Sequence, residues 1–289
     1  MQVILGSTGH IGSALVPLLL ERQQAVTVVA RSAERVALWR DRGAHVAVAD
    51  IHDTPALHAA LRRGSRAYLV NPPADCALDT DREERATVRS IVSALQGTNL
   101  ELVVAQSTYG AQSGEHIADL GSLFELERGV AAQSTPYQII RAAYYMSNWD
   151  AQLESARSEG VLRSFYPPDF ALPMVAPADI AQVAARLLTE PPTSSTISNV
   201  EGPARYTSAD VAAAFSQALG KTVQAVYIPK SERLAALQKL GFSSAAADSF
   251  SAMTELTLNA RFPAIGETTR GTTTLADYVA VLCARRPSG

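Results

Sequence analysis

A glycine-rich turn between a short apolar run and a helical pattern constrains the fold of this chain more than any other feature. Residues 2–5 (QVIL) suit a buried strand, and Gly6, Gly9 and Gly12 follow at intervals of three residues. A helical pattern comes next, and residues 26–30 (VTVVA) then return as a second strand. This order predicts a βαβ unit whose turn and helix N-terminus bind the pyrophosphate of a dinucleotide.

Each of the three glycines has a physical role in such a unit. Gly6 allows the tight turn, Gly9 lets the backbone approach the pyrophosphate, and Gly12 lets the helix pack closely on the strand. A turn that uses glycine for structural reasons alone is the alternative interpretation. The strand and helix on either side of the turn favour the dinucleotide site.

The residues that follow the second strand indicate which dinucleotide is bound. NAD sites usually carry Asp or Glu there, which holds the ribose 2′-hydroxyl. This chain instead has Ala30 and Arg31, with Arg35 one helical turn later. Guanidinium groups suit a 2′-phosphate, so we expect NADP(H). The alternative is that both arginines are solvated charges at the start of a helix.

Composition and charge exclude several classes of protein. The 289 residues are 47% hydrophobic and 18% charged, with a net charge of −3 and no basic stripe, so we expect no nucleic-acid partner. No apolar run is long enough to span a membrane and no signal peptide is recognisable, so a cytoplasmic location is expected. Cys76, Cys283 and five scattered histidines form no disulfide framework and no metal site.

Strand and helix patterns alternate along the first half of the chain. Strands are predicted at 45–49, 67–70, 101–105 and 137–141, with helices at 33–42, 55–62, 79–95 and 120–132. This alternation predicts an α/β fold with a Rossmann-type, doubly wound parallel sheet. Ligands of such sheets lie beyond the carboxyl ends of the strands. That rule adds six candidate cofactor contacts, namely Asp50, Ile51, Asn71, Pro72, Gln106 and Ser107.

The second half of the chain changes to helices separated by short strands and prolines. We expect Asp179 to be the N-cap of a helix at 180–188 and Ser208 to cap another that ends before Gly220. Further helices are predicted at 231–240, 244–258 and 275–283, strands at 196–200 and 223–228, and a frayed end at 285–289. The predicted core is therefore 1–142, joined by 174–200. Residues 143–173 and 201–289 would form a smaller, mostly helical lobe over a cleft for a small-molecule substrate.

Five stretches carry a resemblance to a known family: GSTGHIG at 6–12, VARSAERV at 29–36, IIRAAYYMSNW at 139–149, PMVAPADIAQVAARLL at 173–188 and EGPARYTSADVAAAFSQALGK at 201–221. The chain resembles the NmrA-like branch of the atypical short-chain dehydrogenase/reductases. This resemblance implies a Rossmann domain that binds NADP(H), in either a reductase or a regulator. By position, the pyrophosphate would lie on Gly6, Thr8, Gly9, His10 and Ile11, and the 2′-phosphate on Arg31. Asp50 and Ile51 would flank the adenine, and Asn71 and Pro72 would lie along the nicotinamide ribose.

The helix predicted at 120–132 departs from the family pattern. Catalytic short-chain dehydrogenases carry a Tyr-x-x-x-Lys pair on this helix, and the reductases of this branch that keep only the lysine place it at the position of Leu123. This helix contains neither lysine nor tyrosine. Any proton donor must therefore lie elsewhere, or the acceptor must already be activated, as a quinone, enone or iminium is.

Two residues are candidate proton donors. Tyr109 comes just after the fifth strand, and the alternative is a loop tyrosine packed against the lobe. His116, in the same loop, would titrate near neutral pH, but histidines are also common at surfaces. The candidate substrate pocket consists of Tyr109, Tyr144, Tyr145, Asn148, Trp149, Phe165, Phe250 and Met253. The tyrosine pair is equally compatible with packing in a core.

The sequence supports two hypotheses of function. The first is an NADPH-dependent oxidoreductase that reduces a small, hydrophobic, conjugated acceptor by hydride transfer. The second is a non-catalytic redox sensor that binds NADP(H) and changes its contact with a protein partner. The missing lysine and tyrosine support the second. The lack of a recognisable partner-binding segment supports the first, which we favour, and a homodimer is compatible with either.

Overall fold

The computed structural model describes residues 1–191, 194–260, 262 and 266–284, so the end predicted at 285–289 lies outside the described residues. The strands are β1 (Gln2–Ile4), β2 (Val26–Ala30), β3 (His45–Val48), β4 (Arg66–Leu69), β5 (Leu102–Thr108), β6 (Tyr137–Ala142), β7 (Tyr144–Tyr145), β8 (Val161–Ser164), β9 (Leu172–Val175), β10 (Thr196–Glu201), β11 (Arg205–Tyr206), β12 (Gln224–Tyr227) and β13 (Thr268–Arg270). The helices are α1 (His10–Glu21), α2 (Ala37–Asp41), α3 (Thr54–Leu61), α4 (Thr80–Leu95), α5 (Asp119–Ala131), α6 (Leu153–Ser158), α7 (Pro177–Thr189), α8 (Ser208–Leu219), α9 (Lys230–Lys239), α10 (Ser244–Ala260) and α11 (Leu275–Ala284), with 3-10 helices at Glu34–Val36 and Met146–Gln152.

Eight parallel strands form the central sheet in the order β3-β2-β1-β4-β5-β6-β10-β13. The inner strands β1, β2, β4, β5 and β6 are almost entirely buried, because α1 and α7 cover one face of the sheet and α3, α4 and α5 cover the other. The strand order reverses between β1 and β4, and this switch point is where doubly wound sheets bind ligands. The predicted Rossmann-type α/β fold is confirmed.

The returning segment and the lobe differ in detail from the prediction. In the segment at 174–200, β10 pairs with β6 and α7 packs on α1. However, β13 pairs with β10, so a piece of the predicted lobe belongs to the central sheet. The lobe also contains a strand that the sequence did not predict, β8, which pairs in parallel with β12. These strands are too short to show a period-2 pattern in the sequence.

Two predicted helix caps were wrong. The helix α7 begins before Asp179, which lies in its first turn and accepts hydrogen bonds from the backbone N (3.1 Å) and Oγ1 (3.0 Å) of Thr273. Thr207, not Ser208, caps α8, and Asp210 completes a reciprocal capping box with it. In α8 a neighbouring residue with the same chemistry caps the helix, so the sequence alone could not choose between them. The N-cap of α7 is Ala176, and no side chain caps this helix.

Candidate functional site

The glycine turn after β1 leaves the first turn of α1 open to an anion. Gly6 adopts a positive φ of 69°, and the N–H of Gly9 donates to its carbonyl oxygen at 3.0 Å. A Cβ on Gly12 would lie 2.1 Å from the same oxygen, so only glycine fits there. Gly9 is the N-cap of α1, and no side chain caps this helix. The dipole and amides of the helix end are therefore available to a phosphate.

The side chains of this turn divide between solvent and core. Thr8 and His10 are exposed, whereas Ile11 is buried in the core beneath the sheet edge. His10 Nδ1 lies 3.9 Å from Asp150 Oδ2, and Asp150 Oδ1 accepts a hydrogen bond of 2.8 Å from the Tyr278 hydroxyl. The turn thus touches the lobe through Asp150, while the roles of Thr8, His10 and Ile11 toward a pyrophosphate stay predictions.

The predicted adenosine end of the site lies at the carboxyl ends of β2 and β3. Arg31 and Arg35 are exposed, and in the described part of the chain no hydrogen bond or ion pair joins either side chain to another residue. Asp50 is exposed and accepts a hydrogen bond of 2.9 Å from the backbone N–H of His52, and Ile51 is partly buried. The assignment of the arginines to the 2′-phosphate, and of Asp50 and Ile51 to the adenine, remains a prediction. Both guanidinium groups are available for such a contact.

The loop after β4 lies on the other side of the switch point. Pro72 is exposed, and Asn71 Oδ1 is buried with no hydrogen-bond partner among the described residues. Glu84 of α4 supports the loop, because its carboxylate accepts from the Ala74 backbone N–H (3.4 Å) and from the Ser122 hydroxyl (2.9 Å). Burial raises the pKa of Glu84 to about 7. The orphaned amide oxygen is the polar atom that a ribose hydroxyl would satisfy.

Gln106 and Ser107 at the end of β5 are both buried, and their side chains already have partners. Gln106 Oε1 accepts from the Tyr68 hydroxyl at 3.1 Å. The Ser107 hydroxyl donates at 2.5 Å to Glu127, which also forms a buried ion pair of 2.6 Å with Arg141. A contact between these residues and a dinucleotide, which we predicted, would therefore use backbone atoms.

The geometry does not favour Tyr109 as a proton donor. Its hydroxyl donates at 3.0 Å to Glu201 Oε1, while Oε2 of the same carboxylate lies 2.9 Å from Arg270. Burial, together with the charge of Glu201, raises the pKa of Tyr109 well above its ordinary value. A phenol that holds its proton tightly and points at a carboxylate matches the packed-tyrosine alternative. His116 is exposed, and its role stays a prediction.

Aromatic side chains cluster where the chain leaves β6, and we call the rings of Tyr144, Trp149 and Tyr166 the aromatic wall. The Tyr144 ring lies 6.1 Å from Trp149 and 5.8 Å from Tyr166, and the Asn148 side chain contacts the Tyr144 hydroxyl. Burial raises the pKa of Tyr144 and of Tyr145 well above the ordinary value. Trp149 is only 4% exposed and packs in the lobe core, where its ring contacts that of Tyr144.

The second predicted apolar group is also brought together. The rings of Phe165 and Phe250 meet edge to face at 5.9 Å, and Met253 lies one turn further along α10. Phe242 contacts Phe250 at 5.7 Å from the turn that joins α9 and α10. These contacts are expected of a lobe core as well as of a substrate pocket, and the pocket role stays a prediction.

The described part of the chain has two further properties that bear on function. No helix in it is both long and apolar enough to cross a bilayer. No group of three or more His, Cys, Asp and Glu side chains in it is arranged to hold a metal ion.

A family model identifies the chain. The NmrA-like family matches residues 2–265, which is nearly the whole length. The chain belongs to the NmrA-like family. The family resemblance inferred from the sequence motifs is thereby confirmed.

Relatives within and around the NmrA-like family cover most of the chain. It is 27% identical over 258 residues to an NAD(P)H azoreductase of Xenophilus azovorans, covering 89% of this chain and 86% of the relative. It is 24% identical over 257 residues to quinone oxidoreductase 2 of Escherichia coli strain K12, covering 86% and 85%. The crystal structure of an Escherichia coli NADPH-dependent quinone oxidoreductase in complex with NADPH superimposes with a TM-score of 0.76 at 21% identity, over 98% and 99% of the two chains.

Sequence reasoning missed Asp119, the first residue of α5. Its Oδ1 atom is shielded from solvent and has no hydrogen-bond partner among the described residues. Burial raises the pKa of Asp119 to about 6. Its charge also acts on the nearby phenols of Tyr145 and Tyr166 and raises the pKa of each. In sequence, an aspartate in a first helical turn looks like an ordinary partner of the helix dipole, so nothing singled it out.

The backbone that leads to Asp119 is strained. Ala118 adopts φ 50° and ψ −139°, and His116 also has a positive φ of 54°, although neither residue is glycine. The Ala118 N–H donates at 2.8 Å to the Ser249 hydroxyl of α10, which fixes the strained turn to the lobe. Strained non-glycine residues concentrate at functional sites, which is consistent with a functional role for Asp119.

The position of the family lysine is apolar for a structural reason. Leu123 is 9% exposed and packs in the core between α5 and the sheet. A leucine there adds to the core and leaves no ionisable group in its place. Asp119, one helical turn earlier in this NmrA-like chain, is an acid whose charge acts on Tyr145 and Tyr166.

Proposed function

We propose that this protein is an NADPH-dependent oxidoreductase that reduces a small, hydrophobic, conjugated acceptor such as a quinone, an enone or an imine. One observation carries the proposal. An uncapped helix end and an exposed Arg31 follow β1 and β2, while the chain after β5 and β6 supplies Asp119, whose Oδ1 has no partner among the described residues, and the aromatic wall. The first half of this arrangement suits a phosphorylated dinucleotide, and the second suits a flat acceptor.

The residues present fit NADP(H). The amides at the start of α1 suit the pyrophosphate, and Arg31 is free to pair with a 2′-phosphate. The buried Asn71 Oδ1 can accept a hydrogen bond from a ribose hydroxyl. When bound, NADPH supplies the hydride that the acceptor takes up.

The relatives support both the cofactor and the kind of acceptor. One is named for the reduction of azo compounds with NAD(P)H and another for the reduction of quinones. Both acceptors are conjugated systems, in which the incoming electrons are delocalised. That chemistry requires less acid assistance than the reduction of a simple ketone, and it agrees with the apolar Leu123.

The protein's own contribution is positioning and one proton. The aromatic wall orients a flat acceptor and excludes water, which supplies much of the rate in a reaction between two bound molecules. A carboxyl group with a pKa of about 6 is partly protonated near neutral pH, so Asp119 can give its proton to the oxygen or nitrogen that gains charge. It then recovers a proton from solvent. Its closeness to Tyr145 and Tyr166 places that proton beside the wall.

The test combines a binding titration of NADP and NAD with NADPH consumption over a panel of quinones, enones and imines. Tighter binding of NADP than NAD, together with turnover of at least one class of acceptor, is the expected result. Binding without turnover across the panel would favour the non-catalytic sensor. Failure to bind either dinucleotide would contradict the site itself.

A further inference from the structure

Arg233 of α9 is a fully buried cation with unused hydrogen-bond donors. Its side chain is 0% exposed. Nη1 donates to Glu255 Oε1 at 2.8 Å and to the Ser251 carbonyl oxygen at 3.3 Å. Nε and Nη2 are shielded from solvent and have no partner among the described residues. Burying such donors without an acceptor is costly, so they call for a ligand or a function.

The two orphaned nitrogen atoms form one side of the planar guanidinium group. In arginine, the N–H bonds of Nε and Nη2 run parallel and make a fork that matches two oxygen atoms of a carboxylate, sulfonate or phosphate group. Nη1, at the other side, is the nitrogen that Glu255 and Ser251 already occupy. The free side of Arg233 is therefore the side that recognises an oxyanion.

The charge balance around Arg233 leaves room for an anion. Glu255 is shared, because Lys230 Nζ lies 2.9 Å from its Oε2 while Arg233 binds its Oε1. Hydrogen bonds from Lys230 and Arg233 lower the pKa of Glu255, so this carboxyl is ionised at neutral pH. Two cations around one carboxylate give the cluster a net charge of +1. Lys230 is 71% exposed and hydrated, so the uncompensated charge lies on the buried side, at Arg233.

Tyr166 connects Arg233 with the proposed substrate side. The pKa of Tyr166 is raised to about 12, mainly by burial; the charge of Asp119 contributes to the rise and the charge of Arg233 opposes it. Both charged groups thus lie within electrostatic range of one phenol, whose ring packs 5.8 Å from Tyr144 of the aromatic wall. Asp119 and Arg233 each have buried polar atoms without a hydrogen-bond partner among the described residues.

We propose that Arg233 binds a carboxylate, sulfonate or phosphate group of the substrate through Nε and Nη2, so that the protein selects anionic conjugated acceptors. The reactive part of this ligand rests on the proposed function, whereas the anion site does not. Because Arg233 is fully buried, a ligand reaches it only when the lobe opens. One contact that holds this part of the lobe is the hydrogen bond of 2.7 Å from the Ser243 hydroxyl, in the turn between α9 and α10, to the Leu78 carbonyl oxygen.

The experiment compares two probes that differ in one charge, anthraquinone-2-carboxylate and its methyl ester. Their binding to the full chain is measured by calorimetry in the presence of NADP. The wild type is expected to bind the carboxylate about tenfold or more tightly than the ester, the range typical of charge-assisted hydrogen bonds. Arg233→Gln is expected to remove most of this preference, and Arg233→Lys, which keeps the charge but not the fork, is expected to lose much of it.

Lys230→Gln is the matched control. It removes the other cation bound to Glu255 but leaves the fork of Arg233 in place, so the preference for the carboxylate should persist. Equal binding of the two probes by the wild type would overturn the proposal even if no Arg233 variant folds. Full retention of the preference in Arg233→Lys would overturn the bidentate contact.

The same samples separate this inference from the proposed function. Preferential binding of the carboxylate without NADPH consumption by any acceptor would leave the anion site standing and refute the reductase. Turnover of neutral quinones with no preference between the two probes would support the reductase and refute the anion site. Turnover together with preference would support both.

Discussion

Asp119→Asn should stabilise the protein at alkaline pH while it impairs reduction of the acceptor. The substitution keeps the shape of the side chain but removes its titration. The wild-type protein has to hold a carboxylate in a place where Oδ1 has no solvent and no partner. Residues that serve a reaction at the expense of stability show this combination of effects.

The magnitude follows from the pKa of Asp119, which burial raises from an ordinary 3.8 to about 6. The folded state therefore binds more protons than the unfolded state between these values, and the wild type loses stability as pH rises through that window. One unit of pKa difference is worth about 1.4 kcal/mol, so the full loss above pH 6 is about 3 kcal/mol. Roughly half of it has developed by pH 5. The amide does not titrate and escapes the loss.

The assay is denaturant unfolding of both proteins at pH 5 and pH 8. The advantage of Asp119→Asn should grow between these values by about 1.4 kcal/mol. Glu84→Gln is a useful comparison, since burial raises the pKa of Glu84 to about 7 and the same sign applies over a window that reaches higher pH. Steady-state reduction of the best acceptor should fall in Asp119→Asn by about a hundredfold, as for the loss of a general acid, while NADP affinity stays unchanged.

Two results would refute this reasoning. A difference in stability between wild type and Asp119→Asn that does not change with pH would show that the carboxyl is not buried as described. Unchanged turnover in Asp119→Asn, with the stability effect present, would show that a buried carboxyl exists but does not supply the proton. His116→Ala would then become the next variant to measure.

Three further predictions concern the cofactor end and the core. Arg31→Ala should weaken NADP binding about tenfold to a hundredfold and leave NAD binding unchanged, because an exposed arginine without a protein partner has little structural role; titration of both dinucleotides checks this. Gly12→Ala should abolish binding or folding, seen in the same titration and in thermal melting, since the new Cβ would lie 2.1 Å from a backbone oxygen of the turn. Glu127→Gln should cost about 3–5 kcal/mol in chemical unfolding, because it leaves a buried arginine without its carboxylate. As the control for Glu127→Gln, Glu159→Gln breaks an exposed i,i+4 ion pair and should cost less than about 1 kcal/mol by the same measurement.

The first half of the fold was predictable because its signals are local. The inner parallel strands β1, β2, β4 and β5 are buried on both faces and are therefore largely apolar, and each is followed by a helix. The glycine turn was predictable for the same reason, since Gly6 and Gly12 are required by backbone geometry within seven residues. The strand β13 was not predictable, because three polar residues at the sheet edge carry no hydrophobic pattern and depend on β10 for their hydrogen bonds.

For the candidate site, the sequence can predict where a residue stands on the backbone, but it cannot predict the side-chain contacts that depend on packing. The positions of Arg31 and Asn71 could be predicted because each comes just after a strand. In the structure these strands are β2 and β4, which lie on either side of β1. Whether Tyr109 is a donor depends on Glu201, which lies 92 residues away and meets it only through the pairing of β6 with β10. No spacing in the sequence encodes that contact.

The burial of Asp119 and Arg233 could not be predicted from the sequence. A charged residue at the start of a helix or along a helix face is ordinarily solvated, and an aspartate or arginine there is unremarkable. Their significance comes from burial without a full set of partners, which costs stability in the free protein. That cost is removed only when something supplies the missing donor or acceptor, and the charges of both residues act on the same phenol, that of Tyr166. A ligand with a proton-accepting centre near Asp119 and an oxyanion near Arg233 would satisfy both at once.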